Sequence, residues 1–277
     1  MKLGIDLGGT SIKGGLFDDD MTLVRETAVP TCGQEGREKI FAALFTLIET
    51  LGVEGVTEIG VSSAGNIDPY RGVCVYATDN LRGWTGADIK GEVEKKFHIP
   101  CRADNDAVCA LKGELTFYPE VGNATMLTFG TGVGGASLVN GQIVRGSRFD
   151  GARWGHVTLF PGGNACSCGR RGCAESYLSA TALLRRGRER LPALEDCKQL
   201  FTLAKEGNGE AQKTLEEFGG ALNLLLYNIR TALAPELIIL GGGVAQSEEQ
   251  IYNLIEEKSD IAFARLKNRA GMVGALL

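Results

Sequence analysis

The chain has 277 residues, of which 44% are hydrophobic, and it carries a formal net charge of -5 at pH 7. This length is enough for two lobes with apolar cores, and the acidic balance argues against a nucleic-acid partner, which would need a basic surface. No run approaches the roughly 18 apolar residues of a membrane span, and the first residues do not resemble a secretory signal. We therefore expect a cytoplasmic protein whose partner is a small molecule.

The first half of the chain alternates strands and helices. Two strands, KLGIDL and IKGGLFD, flank the turn GGTS, which places these glycines at the tip of a β-hairpin rather than before a helix. A helix is predicted for EKIFAALFTLIETL and a strand for EIGVSSAG. A further helix, DIKGEVEKKF, leads into the strand IPCRA, after which Asp104 or Asn105 could cap a helix through Leu115. Carboxylates at the carboxyl end of a strand are where α/β proteins place their chemistry.

The second half repeats part of this pattern. ATMLTFGTGVGGASLVNGQIV predicts another glycine-tipped hairpin, and this recurrence indicates an internal duplication, with two α/β lobes that present glycine hairpins to a shared cleft. TLEEFGGALNLLLYNIRTALAP has the apolar spacing of a helix, and ELIILGGGVA is a buried strand that opens onto three glycines. We place the first lobe at residues 1–117 and the second at residues 118–277.

One cysteine-rich segment stands out among eight cysteines that otherwise resemble small core residues. In HVTLFPGGNACSCGRRGC, His156 precedes Cys166 by ten residues, and Cys168 and Cys173 follow. One imidazole and three thiolates form a tetrahedral set suited to zinc, and the intervening glycines permit the tight turns. The alternatives are a flexible cysteine-rich loop and a redox pair, and the redox pair is disfavoured because no Cys-x-x-Cys begins a helix here.

Three glycine turns follow predicted strands, in DLGGT, FGTGVGG and LGGGV. Backbone amides at such turns can converge on anionic oxygens, although any single turn is as well explained by tight packing. Together they favour a bound nucleotide, with Mg²⁺ held through water by Asp6. The residues predicted to contact the nucleotide and its metal are Asp6, Gly8, Gly9, Thr10, Lys13, Gly130, Thr131, Gly132, Gly241, Gly242 and Gly243.

These segments together resemble the ROK group of sugar kinases and sugar-responsive repressors, which belongs to the actin and hexokinase superfamily. The similarity covers nearly the whole chain, through the segments GIDLGGTSIKGGLFD, AGNIDPYRG, DNLRGW, ADNDAVCALKGE, FGTGVGGASLVNG and GHVTLFPGGNACSCGRRGCAES. The resemblance implies a two-lobed α/β fold of the actin-like ATPase, ribonuclease H-like type, with an interlobe cleft and a zinc-binding loop. It also implies a carboxyl-terminal segment that packs back on the first lobe, and a homodimer or homotetramer.

The resemblance further implies an ATP-dependent kinase of the glucokinase or N-acetylmannosamine kinase type, with Mg²⁺ and structural Zn²⁺, acting on the 6-hydroxyl of a hexose or N-acylhexosamine. Asp106 is then the general base, and the alternative is that it only caps the start of a helix. Asn80, Asn105 and Glu175 match residues that bind sugar hydroxyls. His156 is expected to bind zinc through one nitrogen and a sugar hydroxyl through the other.

One departure from the family pattern bears on the substrate. The family commonly has Glu-x-Gly-His before the zinc loop, whereas this chain has RWGH, with Arg153 at the position of the Glu. A guanidinium cannot accept a hydrogen bond from a hydroxyl, so the contact is lost, inverted into donation, or supplied by another residue. This departure favours N-acetylmannosamine over glucose as the expected substrate. The alternative is that Arg153 faces solvent and the pocket remains glucose-like.

Three other functions are less consistent with the sequence. A sugar-sensing regulator of the same family would carry a helix-turn-helix domain ahead of the first strand, which is not expected here. A purely structural actin-like ATPase would not need the sugar and zinc segments. A nucleic-acid module would use the arginines near the zinc loop, but a solvated helix face explains that cluster more simply: Arg170, Arg171, Arg185, Arg186, Arg188 and Arg190.

Overall fold

A computed structural model describes residues 1–277 and divides them into two compact units. The first unit comprises Met1–Pro119, Arg145–Gly151 and Asn268–Leu277, and the second comprises Glu120–Val144 and Ala152–Lys267. Each unit is built on its own five-stranded mixed sheet with helices packed against it. No helix combines the length and apolar character that a membrane crossing requires.

The first unit contains seven strands and three helices before its last segment. The strands are β1 (Lys2–Leu7), β2 (Ser11–Phe17), β3 (Leu23–Pro30), β4 (Glu58–Ser63), β5 (Asn66–Asp68), β6 (Val73–Tyr76) and β7 (Cys101–Asn105). The helices are α1 (Arg37–Leu51), α2 (Ile89–Phe97) and α3 (Asp106–Leu115). The five-stranded sheet has the order β3-β2-β1-β4-β7, and β5 pairs with β6 in a separate hairpin.

The second unit has the same sheet topology. Its strands are β8 (Ala124–Phe129), β9 (Val133–Val139), β10 (Gln142–Ile143), β11 (Leu237–Gly241) and β12 (Ile261–Phe263), in the order β10-β9-β8-β11-β12. Its helices are α4 (Glu175–Leu178), α5 (Ala180–Arg190), α6 (Cys197–Lys205), α7 (Gly209–Leu233) and α8 (Glu248–Leu254). In both sheets three antiparallel strands are followed by two parallel ones, which agrees with the duplication inferred from the sequence. The predicted α/β class is confirmed.

The apolar patterns that predicted the helices face the two cores. In α1, residues spaced three or four apart, including Ile40, Leu44 and Leu47, are fully buried in the core of the first unit. In α7, Phe218, Leu222 and Leu225 are likewise fully buried in the core of the second unit. Burial of these stripes holds each helix against its sheet.

The last helix, α9 (Ala270–Gly274), belongs to the first unit and packs on β1, β4 and α3. Its backbone lies directly on two glycines of the sheet, because a Cβ atom at Gly4 or Gly60 would collide with the carbonyl oxygens of Met272 and Ala275 respectively. Glycine at these strand positions therefore permits a contact that any other residue would prevent.

The segment Arg145–Gly151 also joins the first unit, through a buried ion pair. Arg145 donates two hydrogen bonds of 2.8 Å to the two carboxylate oxygens of Asp104, and Lys112 Nζ lies 3.2 Å from one of them. These partners hold the pKa of Asp104 below its usual value despite the opposing effect of burial. The ion pair ties this segment to the end of β7.

Replacing Gly60 by Ala should destabilise the first unit. The new methyl group would collide with the backbone around Ala275, which can move only if α9 lifts from the sheet. We expect a loss of about 2 kcal/mol in the free energy of unfolding, as for other overpacking substitutions. Urea denaturation followed by circular dichroism would measure it.

Gly209→Ala is the matched control, because no heavy atom lies within 4 Å of the added Cβ. Its stability should stay within about 0.5 kcal/mol of the parent or rise slightly, since Ala favours the helix. Equal stability of Gly60→Ala and this control would contradict the proposed contact.

Candidate active site and metal centre

The carboxyl ends of β1, β4 and β7 lie at one edge of the first sheet, because these three strands run parallel. Asp6 stands near the end of β1, and its Oδ1 accepts a hydrogen bond of 2.9 Å from Ser62 Oγ in β4. Lys13 is paired with Asp6 across the β1–β2 hairpin. The edge thus brings together Asp6 and Lys13, both predicted to act near phosphates, and adds the Ser62 hydroxyl.

Asp106 lies at the same edge, as the first residue of α3. The helix is capped by Asn105, whose Oδ1 accepts from the backbone N–H groups of Ala107 and Val108 at 3.0 and 3.1 Å. Asn105 Nδ2 also donates to Asp106 Oδ1 at 2.8 Å, and the Ala107 N–H donates to the same oxygen at 2.8 Å. Asn105 is therefore the residue that caps α3. The Asp106 carboxylate is not needed as the cap, and the bond from Asn105 Nδ2 orients it.

The pKa values of both carboxylates at this edge are raised. Burial raises the pKa of Asp106 to about 6, and the nearby Asp6 charge adds to this rise, while the bonds from Ala107 and Asn105 oppose it. Burial also raises the pKa of Asp6, which Ser62 and Lys13 partly offset. A carboxyl group with a pKa near neutrality is suited to accept a proton during a reaction, and a divalent cation nearby would favour ionisation of both groups.

The first glycine turn, Gly8–Thr10, is largely exposed, and hydrogen bonds from Thr31 hold it in place. Thr31 Oγ1 donates to the Gly8 carbonyl at 2.7 Å, and the Thr31 N–H donates to the Thr10 carbonyl at 3.0 Å. Asn80 lies beside this turn, with its Cβ 3.8 Å from the position of a Cβ at Gly9. The predicted phosphate turn and the predicted sugar residue Asn80 are therefore neighbours.

The loop that carries Asn80 is anchored by apolar residues on its far side. Leu81 and Trp84 are buried in the core of the first unit, and Trp84 Nε1 donates to Ser63 Oγ at 3.1 Å. Asn80 itself is exposed. The sequence DNLRGW thus fixes the loop through its apolar members and leaves the amide available to a ligand.

The other two glycine turns meet at one edge of the second sheet. They follow β8 and β11, which are parallel neighbours, so that Gly241 pairs with Thr128. Gly242 has a φ of +87°, and a Cβ there would meet the backbone of Phe129 at 2.5 Å. The turn at Gly241–Gly243 therefore packs directly on the strand end from which the turn at Gly130–Gly132 begins.

Glu175 joins the turn at Gly130–Gly132 to the zinc loop. Its Oε2 accepts a hydrogen bond of 3.2 Å from the Val133 N–H, and its Oε1 accepts one of 2.5 Å from Ser167 Oγ. Glu175 is the first residue of α4, two positions after Cys173. The carboxylate position thus depends on the fold of the zinc loop.

The four predicted metal ligands converge. The ligand atoms of His156, Cys166, Cys168 and Cys173 all lie within 4.8 Å of one another. The Cys168 and Cys173 sulfurs are 3.7 Å apart, and Cys166 Sγ is 3.6 Å from His156 Nδ1. Around tetrahedral zinc, bond lengths of about 2.3 Å to sulfur and 2.0–2.1 Å to nitrogen place two sulfurs about 3.8 Å apart and sulfur and nitrogen about 3.6 Å apart. The donor set and its spacing both fit Zn²⁺.

The orientation of His156 assigns different tasks to its two nitrogens. Nδ1 faces the cysteine cluster, so Nε2 is the nitrogen left for another partner. Burial lowers the pKa of His156, and the charge of Arg153 lowers it further. A lowered pKa favours the neutral imidazole, which is the form that binds a metal.

Each unit therefore assembles its own share of the predicted residues. The first brings Asp6, Lys13, Asn105 and Asp106 to one edge, with Asn80 beside the Gly9 turn. The second brings together the two remaining glycine turns and the cluster formed by Glu175, the zinc ligands and Arg153.

Sequence reasoning missed three supporting hydroxyls, Ser62, Thr31 and Ser167. The position of Ser62 at the end of a strand parallel to β1 is a signal that could have found it. Thr31 and Ser167 carry no comparable signal, because their partners are defined only by the folded loops.

The chain is similar to known proteins over nearly its whole length. Residues 2–277 match the sequence model of the ROK family. A glucokinase of Thermotoga maritima is 30% identical over 92% of this chain and 86% of its own length. An N-acetylmannosamine kinase of Salmonella typhi is 26% identical over 99% of this chain and 97% of its own length. The crystal structure of a ROK family glucokinase from Streptomyces griseus, in complex with glucose and AMPPNP, superposes with a TM-score of 0.86 at 26% identity, covering 99% of this chain and 97% of that one.

Freshly purified protein should contain one zinc ion per chain, and Cys168→Ser should lower both the zinc content and the melting temperature. The reason is that the metal would link His156 to three cysteines of this loop, so the loss of one ligand weakens a constraint on the fold. Elemental analysis and thermal denaturation would measure both effects.

Cys197→Ser is the matched control, since Cys197 is a half-buried thiol of the same unit outside the cluster. It should retain the full zinc content. Zinc-free protein from a preparation that never met a chelator would contradict the metal assignment.

Proposed function

Since the chain belongs to the ROK family, we propose that it is an ATP-dependent kinase that phosphorylates the 6-hydroxyl of a hexose or N-acylhexosamine. The observation that carries this proposal is the Asp106 carboxylate at the strand edge of the first unit, with its pKa raised to about 6 and its orientation fixed by Asn105. The relatives named glucokinase and N-acetylmannosamine kinase support the substrate class.

In the proposed reaction Asp106 accepts the proton of the sugar 6-hydroxyl as that oxygen attacks the γ-phosphorus of ATP. The bond between the γ-phosphorus and the bridging oxygen breaks, and ADP leaves. The hydrogen bonds from Asn105 and Ala107 to Asp106 Oδ1 leave Oδ2 as the oxygen that receives the proton. Positioning and charge neutralisation supply most of the rate in phosphoryl transfer, so the fixed direction of this carboxylate matters as much as its basicity.

The phosphates are proposed to be held by the glycine turns. The turn of Gly8, Gly9 and Thr10, whose carbonyls Thr31 braces, and the Lys13 ammonium serve the transferred end of the nucleotide. The turns at Gly130–Gly132 and Gly241–Gly243 serve the rest. Mg²⁺, when bound, supplies the positive charge that neutralises the phosphate oxygens, and Asp6 would hold it through water. Asp6 is kept in place for this role by Ser62.

The zinc loop is proposed to present sugar contacts. With Nδ1 of His156 directed at the metal, Nε2 is free to bond a sugar hydroxyl, and Glu175 is fixed by Val133 and Ser167 to accept from another. Asn80 and Asn105 are proposed to complete the hydroxyl contacts. The metal in this proposal is structural, because its four protein ligands leave no open position.

We further propose that N-acetylmannosamine is preferred over glucose. Arg153 lies close enough to His156 to lower the pKa of its ring, which supports a place for the guanidinium beside the sugar. Its donors suit the acetamido carbonyl at C2, whereas the family's Glu would accept from a plain hydroxyl. The N-acetylmannosamine kinase relative is compatible with this assignment.

Asp106→Asn should abolish turnover while leaving sugar binding nearly intact, because the amide is isosteric but cannot accept the proton. The loss of kcat should be about 10²-fold or more. In the wild type, kcat/KM should fall as the pH decreases through about 6, because protonated Asp106 cannot act as a base. A coupled ADP-release assay across pH 5 to 8 would measure both.

Asp196→Asn is the matched control, since Asp196 caps α6 through the Gln199 N–H and Asn is an equally good cap. It should leave kcat and the pH profile unchanged. Retention of more than about a tenth of kcat in Asp106→Asn would reject Asp106 as the general base. Sugar binding without turnover in the wild type would instead favour a sugar-sensing regulator, and sugar-independent phosphate release an actin-like ATPase.

Arg153→Glu should shift the ratio of kcat/KM values toward glucose relative to N-acetylmannosamine. The expected shift corresponds to about 1–3 kcal/mol, the usual cost of leaving a polar group of a sugar site unpaired. Lys198→Glu, an exposed residue of the same unit with the same change in charge, is the control and should leave the ratio unchanged. An identical sugar preference in the wild type and Arg153→Glu would place this side chain outside the sugar site.

A further inference from the structure

The second unit holds a pocket of about 870 Å³ that none of the proposed catalytic residues lines. Its walls come from the zinc loop, from α4 and from the facing sides of α5 and α7. The side chains that define it are Phe160, Tyr177, Arg185, Arg186, Glu217 and Leu224. A pocket of this size accommodates a small organic molecule, for which about 300–1,000 Å³ is usual.

One wall of the pocket is aromatic. The rings of Phe160 and Tyr177 lie 4.7 Å apart between centroids, and Leu224 adds apolar surface from α7. The hydroxyl of Tyr177 accepts a hydrogen bond of 2.9 Å from the Asn164 N–H, which fixes the ring against the zinc loop. Phe160 remains 39% exposed, so this wall offers a ring surface on which a flat or ring-shaped ligand can stack.

In the rest of the lining Arg186 and Arg190 share the Glu217 carboxylate, and Arg190 also lies 3.6 Å from Glu210. Three arginines, Arg185, Arg186 and Arg190, face only two lining carboxylates, Glu189 and Glu217. Arg190 donates hydrogen bonds from two of its nitrogens to Glu217. Arg186 Nε lies 3.7 Å from Oε2 of the same carboxylate. One carboxylate therefore serves two guanidinium groups.

Arg186 is an unusual cation for a helix surface. Only 11% of its side chain is exposed, and its guanidinium lies 5.6 Å from the centre of the Tyr177 ring. Burial lowers the pKa of Arg186, and Glu217 offsets this only in part. A buried, incompletely paired guanidinium is stabilised by an anion that can reach it.

Arg185 supplies a second donor on the adjacent position of α5. Its guanidinium is exposed and makes one long hydrogen bond, 3.4 Å to the Ser176 carbonyl, with no carboxylate within ion-pair distance. A guanidinium group can donate two parallel hydrogen bonds to two phosphate oxygens. Arg185 and Arg186, next to aromatic side chains, therefore suit a phosphate group attached to a ring.

We propose that this pocket binds a phosphomonoester of a ring compound, with the phosphate at Arg185 and Arg186 and the ring against Phe160 and Tyr177. A sugar phosphate and a nucleoside monophosphate share this chemistry. The occupant would contact Tyr177, which lies two residues after Glu175 in α4, and the zinc loop that carries the metal ligands. If the chain is the sugar kinase proposed above, the pocket is an effector site, and its occupancy alters the KM for sugar.

Binding can be measured without turnover, which separates this proposal from the proposed function. The zinc-loaded full chain is saturated with AMPPNP and sugar to block the active site, and inorganic phosphate, glucose 6-phosphate and AMP are titrated by calorimetry. We expect one additional site per chain. Glucose 6-phosphate or AMP should bind at least about tenfold more tightly than inorganic phosphate, because only they offer a ring. Which of the two binds more tightly identifies the source of the phosphomonoester.

Arg185→Gln and Arg186→Gln should each weaken this binding by about tenfold or more, since each removes charge-assisted hydrogen bonds. Arg185 is exposed, so Arg185→Gln should fold even if Arg186→Gln does not. The control is Lys205→Gln, an exposed residue of α6 with the same loss of charge, which should leave binding unchanged.

Three results would overturn the proposal. The first is no binding of any probe at millimolar concentration with the active site blocked. The second is binding that Arg185→Gln leaves unchanged. The third is a change of oligomeric state in Arg185→Gln by analytical ultracentrifugation, which would show that a second copy of the chain, rather than a phosphomonoester, covers the pocket.

Discussion

Parallel pairing of β1, β4 and β7 is the constraint from which the chemistry of the first unit follows. Because the three strands end at the same edge, Asp6 and Asp106 are brought close despite their distance along the chain, and the Asp6 charge raises the electrostatic cost of ionising Asp106. The glycines that admit α9 belong to the same strands, and Gly271 of that helix passes against the Asp6 carboxylate. Packing and reactivity at this edge therefore cannot be altered separately.

The second unit uses the same strand order for a different purpose. Its two parallel strand ends present glycine turns rather than carboxylates, and they pack so tightly that Gly242 touches the backbone of Phe129. The carboxylate it needs is brought in by the zinc loop, through Glu175 and its bonds to Val133 and Ser167. The same sheet topology therefore carries carboxylates at the strand ends of the first unit and glycine turns at those of the second.

Much of this could be predicted from sequence because the signals are local. The alternation of KLGIDL and IKGGLFD gave the first hairpin, and the spacing of His156, Cys166, Cys168 and Cys173 gave the metal cluster. Contacts between distant segments, such as Arg145 with Asp104 or Thr31 with Gly8, leave no pattern in the chain. The interpretation of the arginine cluster as a solvated helix face was wrong for Arg186 and Arg190, whose side chains are only 11% and 22% exposed, because α5 and α7 pack together across them.

The route of the chain imposes an order on its biosynthesis. The first unit receives residues 268–277 only after the whole of the second unit has been translated, yet these residues cover β1 and β4. While the ribosome makes the second unit, the glycine-lined face of the first sheet has no cover, and apolar groups such as Phe17 lack the partners Met272 and Leu276. The second unit can therefore reach its native packing first, and the unit that contains Asp106 becomes complete only when synthesis of residues 268–277 has ended.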